Sequence, residues 1–454
     1  MIRYNVIRNC CCRLLCACTV AAVLLFMIAA SLCQAAKERP LQKKDVAEII
    51  DTLTAAFVQH YVYPDTARAL SDYIHNRLAA GEYDSITDLT SIADKLRQDM
   101  RSFTHDRHIW VSVMSEDDSP AIGDTVTDAE IASSAQTNFG IRKAEWLTGN
   151  VGYVRFDRFD DAAYAGDAAA AAMNFVARCD AVIIDLRYNG GGYETMVRFL
   201  ASYFFKGPVM INALYFPETD SLEQSWTSAY VPGKKLVDVD LYILVSNMTG
   251  SGAEAFAYGM KHSGRATLIG ETTAGAAHWT ESWDFPSLHI RASIPIARPI
   301  NPVTKTSWER TGVKPDIDVP SSQALVVAHR DAVKRLLGRA TDEELRSKLT
   351  WALAGLEAQA EPVSLTPETM QTYTGEFAGG RYAILTRENN LLMRYSDGVE
   401  YVLVPLSEDL FGFEDTDDYR VEFVRDDNGM VSGFRILALG KEPGPIRERT
   451  GDLK

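Results

Sequence analysis

The stretch "VSNMTGSGAEAFAYGM" (Val245–Met260) holds a serine in a setting that two kinds of chemistry can use. Ser251 stands three residues before Glu254, the S-x-x-E spacing of a helix capping box. It also stands at the start of a helical pattern, where outward-pointing backbone amides can hold an oxyanion. Gly250, Gly252 and Ala253 keep side-chain bulk away, so a substrate carbonyl could approach the hydroxyl. The glycine run Gly190–Gly192 offers a second source of amide donors. Pattern alone leaves cap and nucleophile open.

A nucleophilic hydroxyl needs a base within hydrogen-bond reach and a group that orients the base. His60, His75 and His329 lie in helical patterns and read as surface or packing residues. His262 and Lys261 lie on the helix that Ser251 begins. Ten residues along a helix is about 15 Å, which removes Lys261 as a dyad partner. His108 in "HDRHIWV" and His278 in "TTAGAAHW" remain, and spacing does not choose between them. The chain has no HExxH, CxxC or clustered His/Asp spacing, so no metal is expected. "NGGGY" lacks the Lys-Ser/Thr ending of a phosphate loop, and no cofactor is expected. Asp185 and Asn189, around that glycine turn, read as braces.

A chain of 454 residues exceeds one ordinary core, so two or three domains are expected. Apolar content of 46% and charged content of 24% are those of a soluble globular protein. The net charge is −15, and an acidic body argues against a nucleic-acid partner. Arg3, Arg8 and Arg13 precede the apolar run Leu14–Leu32, with small residues around Ala35. Residues 1–35 therefore read as an export signal, directing the chain to a periplasm or the exterior. The run is long enough to leave an uncleaved membrane tether open. Six of seven cysteines lie in this segment, which leaves Cys179 alone, without a disulfide partner, and read as a buried packing residue.

The elements that must position Ser251 follow from periodicity. Residues 41–105 read as a small helical domain, with Val46, Ile49, Ile50, Leu53 and Phe57 at helical spacing. An acidic loop over Ser115–Thr137 leads to the strand "GNVGYVRFDRF" and an Ala-rich helix. The buried strand "AVIIDL", a helix, the strand "LYILVSN", the Ser251 helix and the strand "ATLIGETT" follow. Strands alternating with helices mean an α/β domain, placed at 106–340, whose ligand loops sit at strand C-termini. A linking helix with a Thr341/Glu344 capping box spans 341–360, and 361–454 reads as a small all-β domain.

Taken together, "YVYPDTA", "DRHIWV", "NFGIRKAEWLTGNVGYVRFDRF", "VIIDLRYNGGG", "TGSGAEAFAYGMKHSGRATLIGETTAG" and "WERTGVKPDIDV" resemble the S41 serine peptidases. The likeness is to the branch of tricorn protease and the interphotoreceptor retinoid-binding repeats, without a PDZ domain. It implies a ClpP/crotonase-like catalytic domain with Ser251 as nucleophile. The lysine base of the processing proteases would fall on Ala276, so that dyad is absent. The tricorn-like histidine matches His108, and its orienting acid matches Glu309 in "WERTGVKPDI". The oxyanion donors implied are the Gly252 and Gly191 amides. Arg107 stands where the family has a small or hydroxyl residue, and Asp316 and Asp318 would hold the loop that carries Glu309.

The resemblance implies a serine endopeptidase acting on protein or peptide substrates, exported if the leader reading holds, with homo-oligomerisation left open. Two other readings stay beside it. One is a non-catalytic carrier of hydrophobic ligands on the same scaffold, which would not need all three of Ser251, His108 and Glu309. The other is an esterase-type acyl hydrolase.

Overall fold

The computed structural model describes residues 40–114 and 126–453. The expected leader over 1–35 lies outside the described residues. Among those described, no helix is long and apolar enough to cross a membrane.

The described residues open with helices α1 (Lys43–His60), α2 (Pro64–Ala79) and α3 (Leu89–Thr104), then strand β1 (Trp110–Val113). Helix α4 (Asp128–Ala135), strands β2 (Ile141–Leu147) and β3 (Val151–Phe156), helix α5 (Ala162–Phe175) and strand β4 (Ala181–Asp185) follow. Next come α6 (Glu194–Ser202), β5 (Met210–Phe216), β6 (Ser221–Trp226), β7 (Asp240–Val245), α7 (Ser251–His262) and β8 (Thr267–Gly270). Strands β9 (Trp279–Phe285), β10 (Ile290–Pro299) and β11 (Ile317–Asp318) precede helices α8 (Ala324–Arg339) and α9 (Glu343–Ala360).

Two sheets organise the middle of the chain. The first has the order β11-β8-β7-β4-β3-β2, parallel from β11 to β3 and antiparallel at β2. Every residue of β4 is buried because helices cover both faces. Val182 and Ile184 pack with α5, α6 and α7, while Ala181 and Ile183 pack with α8 and α9. Period-two alternation puts those two sets on opposite faces. The second sheet has the order β1-β10-β5-β6, with β9 also paired to β10.

The helical segment is fused to that second sheet. Leu53, Phe57, Leu70, Ile74, Leu96 and Met100 share one core with Val111 of β1 and with Ile290, Ala292 and Ile294 of β10. The stretch Ser115–Thr137, expected to be a loop, contains α4. Thr127 caps it, Oγ1 accepting from the Glu130 amide at 3.2 Å while the Glu130 carboxylate accepts from the Thr127 amide at 2.8 Å. The start of α9 also differs from expectation. Asp342 is the cap, accepting from the Leu345 amide at 2.8 Å, and Glu344 pairs with Lys348 at 2.6 Å instead of reaching Thr341.

Between Gly375 and Gly451 eight antiparallel strands close into a barrel, preceded by a short helix, Pro367–Tyr373. Trp351 of α9 joins barrel to body: its indole donates to the Asp417 carbonyl at 2.7 Å, and the Arg420 guanidinium lies 4.0 Å from its ring centre.

Candidate active site

Strands β4 and β7 are parallel neighbours, so their C-terminal turns lie side by side. The turns are laced together. Thr249 Oγ1 donates to the Leu186 carbonyl at 2.8 Å, Ser246 Oγ donates to the Arg187 carbonyl, and the Gly250 amide donates to the Asn189 carbonyl at 3.0 Å. Asp185, fully buried, accepts from Tyr153 Oη at 2.7 Å and from the Arg187 amide and guanidinium at 2.7–3.0 Å.

Ser251 opens α7 directly after this lacing. Gly250 is the N-cap and has no side chain with which to cap the helix. The Ser251 amide donates to Glu254 Oε2 at 3.0 Å, while its hydroxyl does not accept from the Glu254 amide. Ser251 also has φ +49°, a left-handed backbone that costs a non-glycine residue on the order of 1 kcal/mol or more. Its neighbours hold it there. A Cβ at Gly191 (φ +115°) would lie 2.7 Å from Ser251 Cβ, and one at Gly252 would lie 2.7 Å from the Gly192 carbonyl oxygen. Only glycine lets the two turns approach this closely.

The oxyanion role expected of Gly191 needs correction. Its amide already donates to Asn189 Oδ1 at 2.8 Å, so Asn189 braces the turn by consuming that donor. The Gly192 and Gly252 amides, which flank Ser251, make no hydrogen bond to a protein acceptor among the described residues.

Glu254, which the sequence presents as a cap partner, is a hub of hydrogen bonds beside the serine. It is completely buried and gathers four donors. Oε1 accepts from the Gly275 amide at 2.7 Å and from Thr273 Oγ1; Oε2 accepts from the Ser251 amide and from the Ala276 amide at 2.9 Å. Burial pushes its carboxyl above the usual range, and these donors oppose that shift. One side chain thus ties the serine backbone to the 273–278 loop.

That loop carries His278, which is buried. Its Nδ1 lies 2.6 Å from Asp106 Oδ2 and 3.8 Å from Glu309 Oε2, and its ring meets Tyr63 edge-on at 5.4 Å. Asp106 also accepts from Tyr61 Oη at 3.1 Å and, through Oδ1, from the His108 amide at 2.9 Å. Burial disfavours the Asp106 charge, but the hydrogen bond and charge of His278 and the His108 amide hold its carboxyl below the usual range. Glu309 moves the other way. Burial raises its carboxyl, against the nearby His278 and the Ala277 amide, which donates to Oε2 at 2.8 Å.

The expected pairing of His108 with Glu309 is not formed. Glu309 flanks His278, and the His108 imidazole lies with Nδ1 3.9 Å from Asp106 Oδ1 and no hydrogen bond to it. Burial pushes the His108 imidazole down to about 4, against the attraction of Asp106. The cleft at Ser251, about 50 Å³, is walled by Gly192, Val197, Leu214, Gly252, His278 and Trp308 among others, and His108 is not among its walls. Arg107 does not wall the cleft; it donates to the Ala274 carbonyl of the same loop at 2.8 Å. Trp308 Nε1 donates to the Ala276 carbonyl at 3.1 Å, a further tie on the same loop. Lys261 pairs with Asp316 at 2.8 Å, and Asp316 also accepts from the Leu268 amide at 2.9 Å.

Asp106, His278 and Glu309 are the described His, Asp or Glu residues whose ligand atoms lie close enough to share one ion, all within 4.8 Å. The short contact between Nδ1 and Oδ2 is the length of a charge-assisted hydrogen bond.

Residues 150–319 match the sequence pattern of peptidase family S41, and residues 33–139 match that of the N-terminal domain of the S41 peptidase in eukaryotic IRBP. A carboxyl-terminal-processing protease of Synechocystis sp. is 30% identical over 131 residues, 28% of this chain and 28% of that one. One of Picosynechococcus sp. is 26% identical over 172 residues, 37% of this chain and 39% of that one. The chain thus spans well under half the length of these relatives. The solved photosystem II D1 C-terminal processing protease is 20% identical, with a TM-score of 0.33 over 38% of this chain and 43% of that one. The chain thus carries a match to peptidase family S41 over residues 150–319, preceded by a match to the N-terminal domain of that family's IRBP members over residues 33–139.

Proposed function

We propose that this protein is a serine endopeptidase that cleaves protein or peptide substrates by acyl transfer. Ser251 Oγ attacks the scissile carbonyl and forms the acyl-enzyme. His278 takes the serine proton and returns it to the leaving amine. Nδ1 faces Asp106, so Nε2, which lies 3.4 Å from Tyr63 Oη in this structure, is the nitrogen that would leave Tyr63 to make that transfer. Asp106 orients the imidazole and balances the imidazolium, with Glu309 adding negative charge behind it. The Gly192 and Gly252 amides take the place of an oxyanion hole. Water then attacks the acyl carbonyl, and the same imidazole accepts its proton. Export of the chain rests on the three arginines and the apolar run of the leader.

One observation carries this reading. Ser251 keeps a strained left-handed backbone and an uncommitted hydroxyl in a cleft whose wall includes a carboxylate-held imidazole. Strain of this kind persists where the surroundings impose it, and such places cluster at active sites. A mere cap would have its hydroxyl on the Glu254 amide.

Labelling with a fluorophosphonate probe tests the reading, using the wild type beside Ser251→Ala, His278→Ala and His108→Ala. Labelling should vanish in Ser251→Ala and fall steeply in His278→Ala. Wild-type protein that never labels, while remaining folded, would sink the catalytic reading. Loss in His108→Ala alone would return the base to the residue favoured by the sequence. Digestion of unfolded casein against hydrolysis of p-nitrophenyl esters then separates a peptidase from an esterase.

A further inference from the structure

The C-terminal barrel is filled from one end only. Tyr373 on the short preceding helix packs with Phe411 and Phe423 at ring separations of 5.2 and 4.7 Å, and Phe377 meets Phe434 at 5.1 Å. Along each strand, side chains two residues apart share a face, so the inward set continues to the other end. Tyr395 follows Met393, Tyr401 precedes Leu403, Phe413 follows Phe411, Tyr419 precedes Val421, and Ile436 follows Phe434. These five residues and Thr416 line an open cup of about 270 Å³ instead of meeting across the axis. An eight-stranded barrel is just wide enough either to be filled by its own side chains or to hold one small ligand. This one does the first at one end and leaves room for the second at the other.

We propose that this cup is a binding site for a small uncharged ring compound of the phenol, indole or naphthol class. No ionisable group other than tyrosine lines it, so nothing there would pair with a charged ligand. Its wall holds edge-on rings, Tyr395 to Tyr401 at 5.7 Å and Tyr401 to Phe413 at 5.8 Å, and the buried Tyr382 meets Tyr395 at 5.0 Å. Such a wall presents ring faces and edges that favour another ring over an aliphatic chain. Among the described residues the Tyr395, Tyr401 and Tyr419 hydroxyls have no hydrogen-bond partner, which leaves donors and acceptors for one polar substituent. The volume lies just below that of sites for drug-sized ligands, about 300 Å³ upward, which limits the guest to one or two fused rings. The inference does not depend on Ser251 chemistry.

The full chain is titrated with 2-naphthol and, separately, with naphthalene, by fluorescence and calorimetry. Saturable one-to-one binding of 2-naphthol is expected, with a dissociation constant on the order of 10–100 µM. Ile436→Trp fills the cup and should weaken both guests by about tenfold or more. The double variant Tyr395→Phe/Tyr401→Phe keeps the ring wall and should weaken 2-naphthol several-fold while leaving naphthalene unchanged. No saturable binding to the wild type overturns the proposal, as does undiminished binding to a folded Ile436→Trp protein. If Ile436→Trp fails to fold, the double variant decides: an unchanged ratio of the two affinities removes the site.

Discussion

Asp106 Oδ2 lies 2.6 Å from His278 Nδ1, although 172 residues separate them in the chain. The contact joins the turn after α3 to the loop after β8, so it exists only once the helical segment has docked on the second sheet. Ile290, Ala292 and Ile294 of β10 enforce that docking by sharing the helices' core. If this pair is the catalytic couple, the helical segment is part of the active site.

The first prediction follows from that contact. Asp106→Asn removes the charge that fixes the imidazole and should lower the rate of Ser251 phosphonylation by about 10²–10⁴-fold. Glu309→Gln should cost on the order of tenfold, because Glu309 acts on His278 across 3.8 Å and not through a hydrogen bond. Measured in parallel, a larger loss for Glu309→Gln than for Asp106→Asn would reverse the two roles.

Acid stability gives the second prediction. The folded His108 imidazole titrates at about 4, whereas an unfolded one titrates near 6.5. The unfolded chain therefore binds a proton that the folded chain refuses throughout that window. Stability is fully present above about pH 6.5 and is lost as pH falls toward 4, by about 3 kcal/mol at most. His108→Gln should flatten this fall. Urea midpoints at pH 7 and pH 4.5 for both proteins read it directly. Asp106, held below its usual range, adds its own loss only at lower pH, once its carboxyl begins to take a proton.

Much of the fold is legible in the sequence because burial on both faces writes itself into β4 and β7 as unbroken apolar runs. The second sheet is not legible as a whole, since the pairings that join its parts, β1 with β10 and β10 with β5, link strands remote in sequence. Helix α4 was hidden by the acidic composition of its surroundings, although Thr127 and Glu130 spell its capping box. At the site, Ser251 is legible from its glycines, and Asn189 and Asp185 from the turn they hold. His278 against His108 is not, because both imidazoles approach the same carboxylate and only the fold decides which one faces the cleft. Glu254 looked like a cap partner because the S-x-x-E spacing serves either purpose.

Glu254 supports a third prediction. Its two oxygens accept from four donors, so a glutamine must turn its NH₂ toward either the Thr273 hydroxyl and Gly275 amide or the Ser251 and Ala276 amides. Leaving such donors unsatisfied costs about 1–3 kcal/mol each. Glu254→Gln should lower the thermal midpoint and slow Ser251 labelling. A variant with wild-type labelling and midpoint would remove the clamp from the account.

The glycine triplet after β4 supplies the last prediction, because three identical letters occupy three different environments. A Cβ at Gly190 would meet nothing within 4 Å, so Gly190→Ala should leave stability within about 0.5 kcal/mol of wild type. A Cβ at Gly191 would press on Ser251 Cβ at 2.7 Å and on the Gly250 carbonyl oxygen at 2.9 Å, at φ +115°, where side-chain-bearing residues are strained. The backbone there cannot yield without releasing the Asn189 bond or the left-handed turn at Ser251. Gly191→Ala should therefore abolish labelling even where enough structure survives to give a cooperative urea transition. Equal behaviour of the two alanine variants would mean that the turns pack less closely than the strained serine requires.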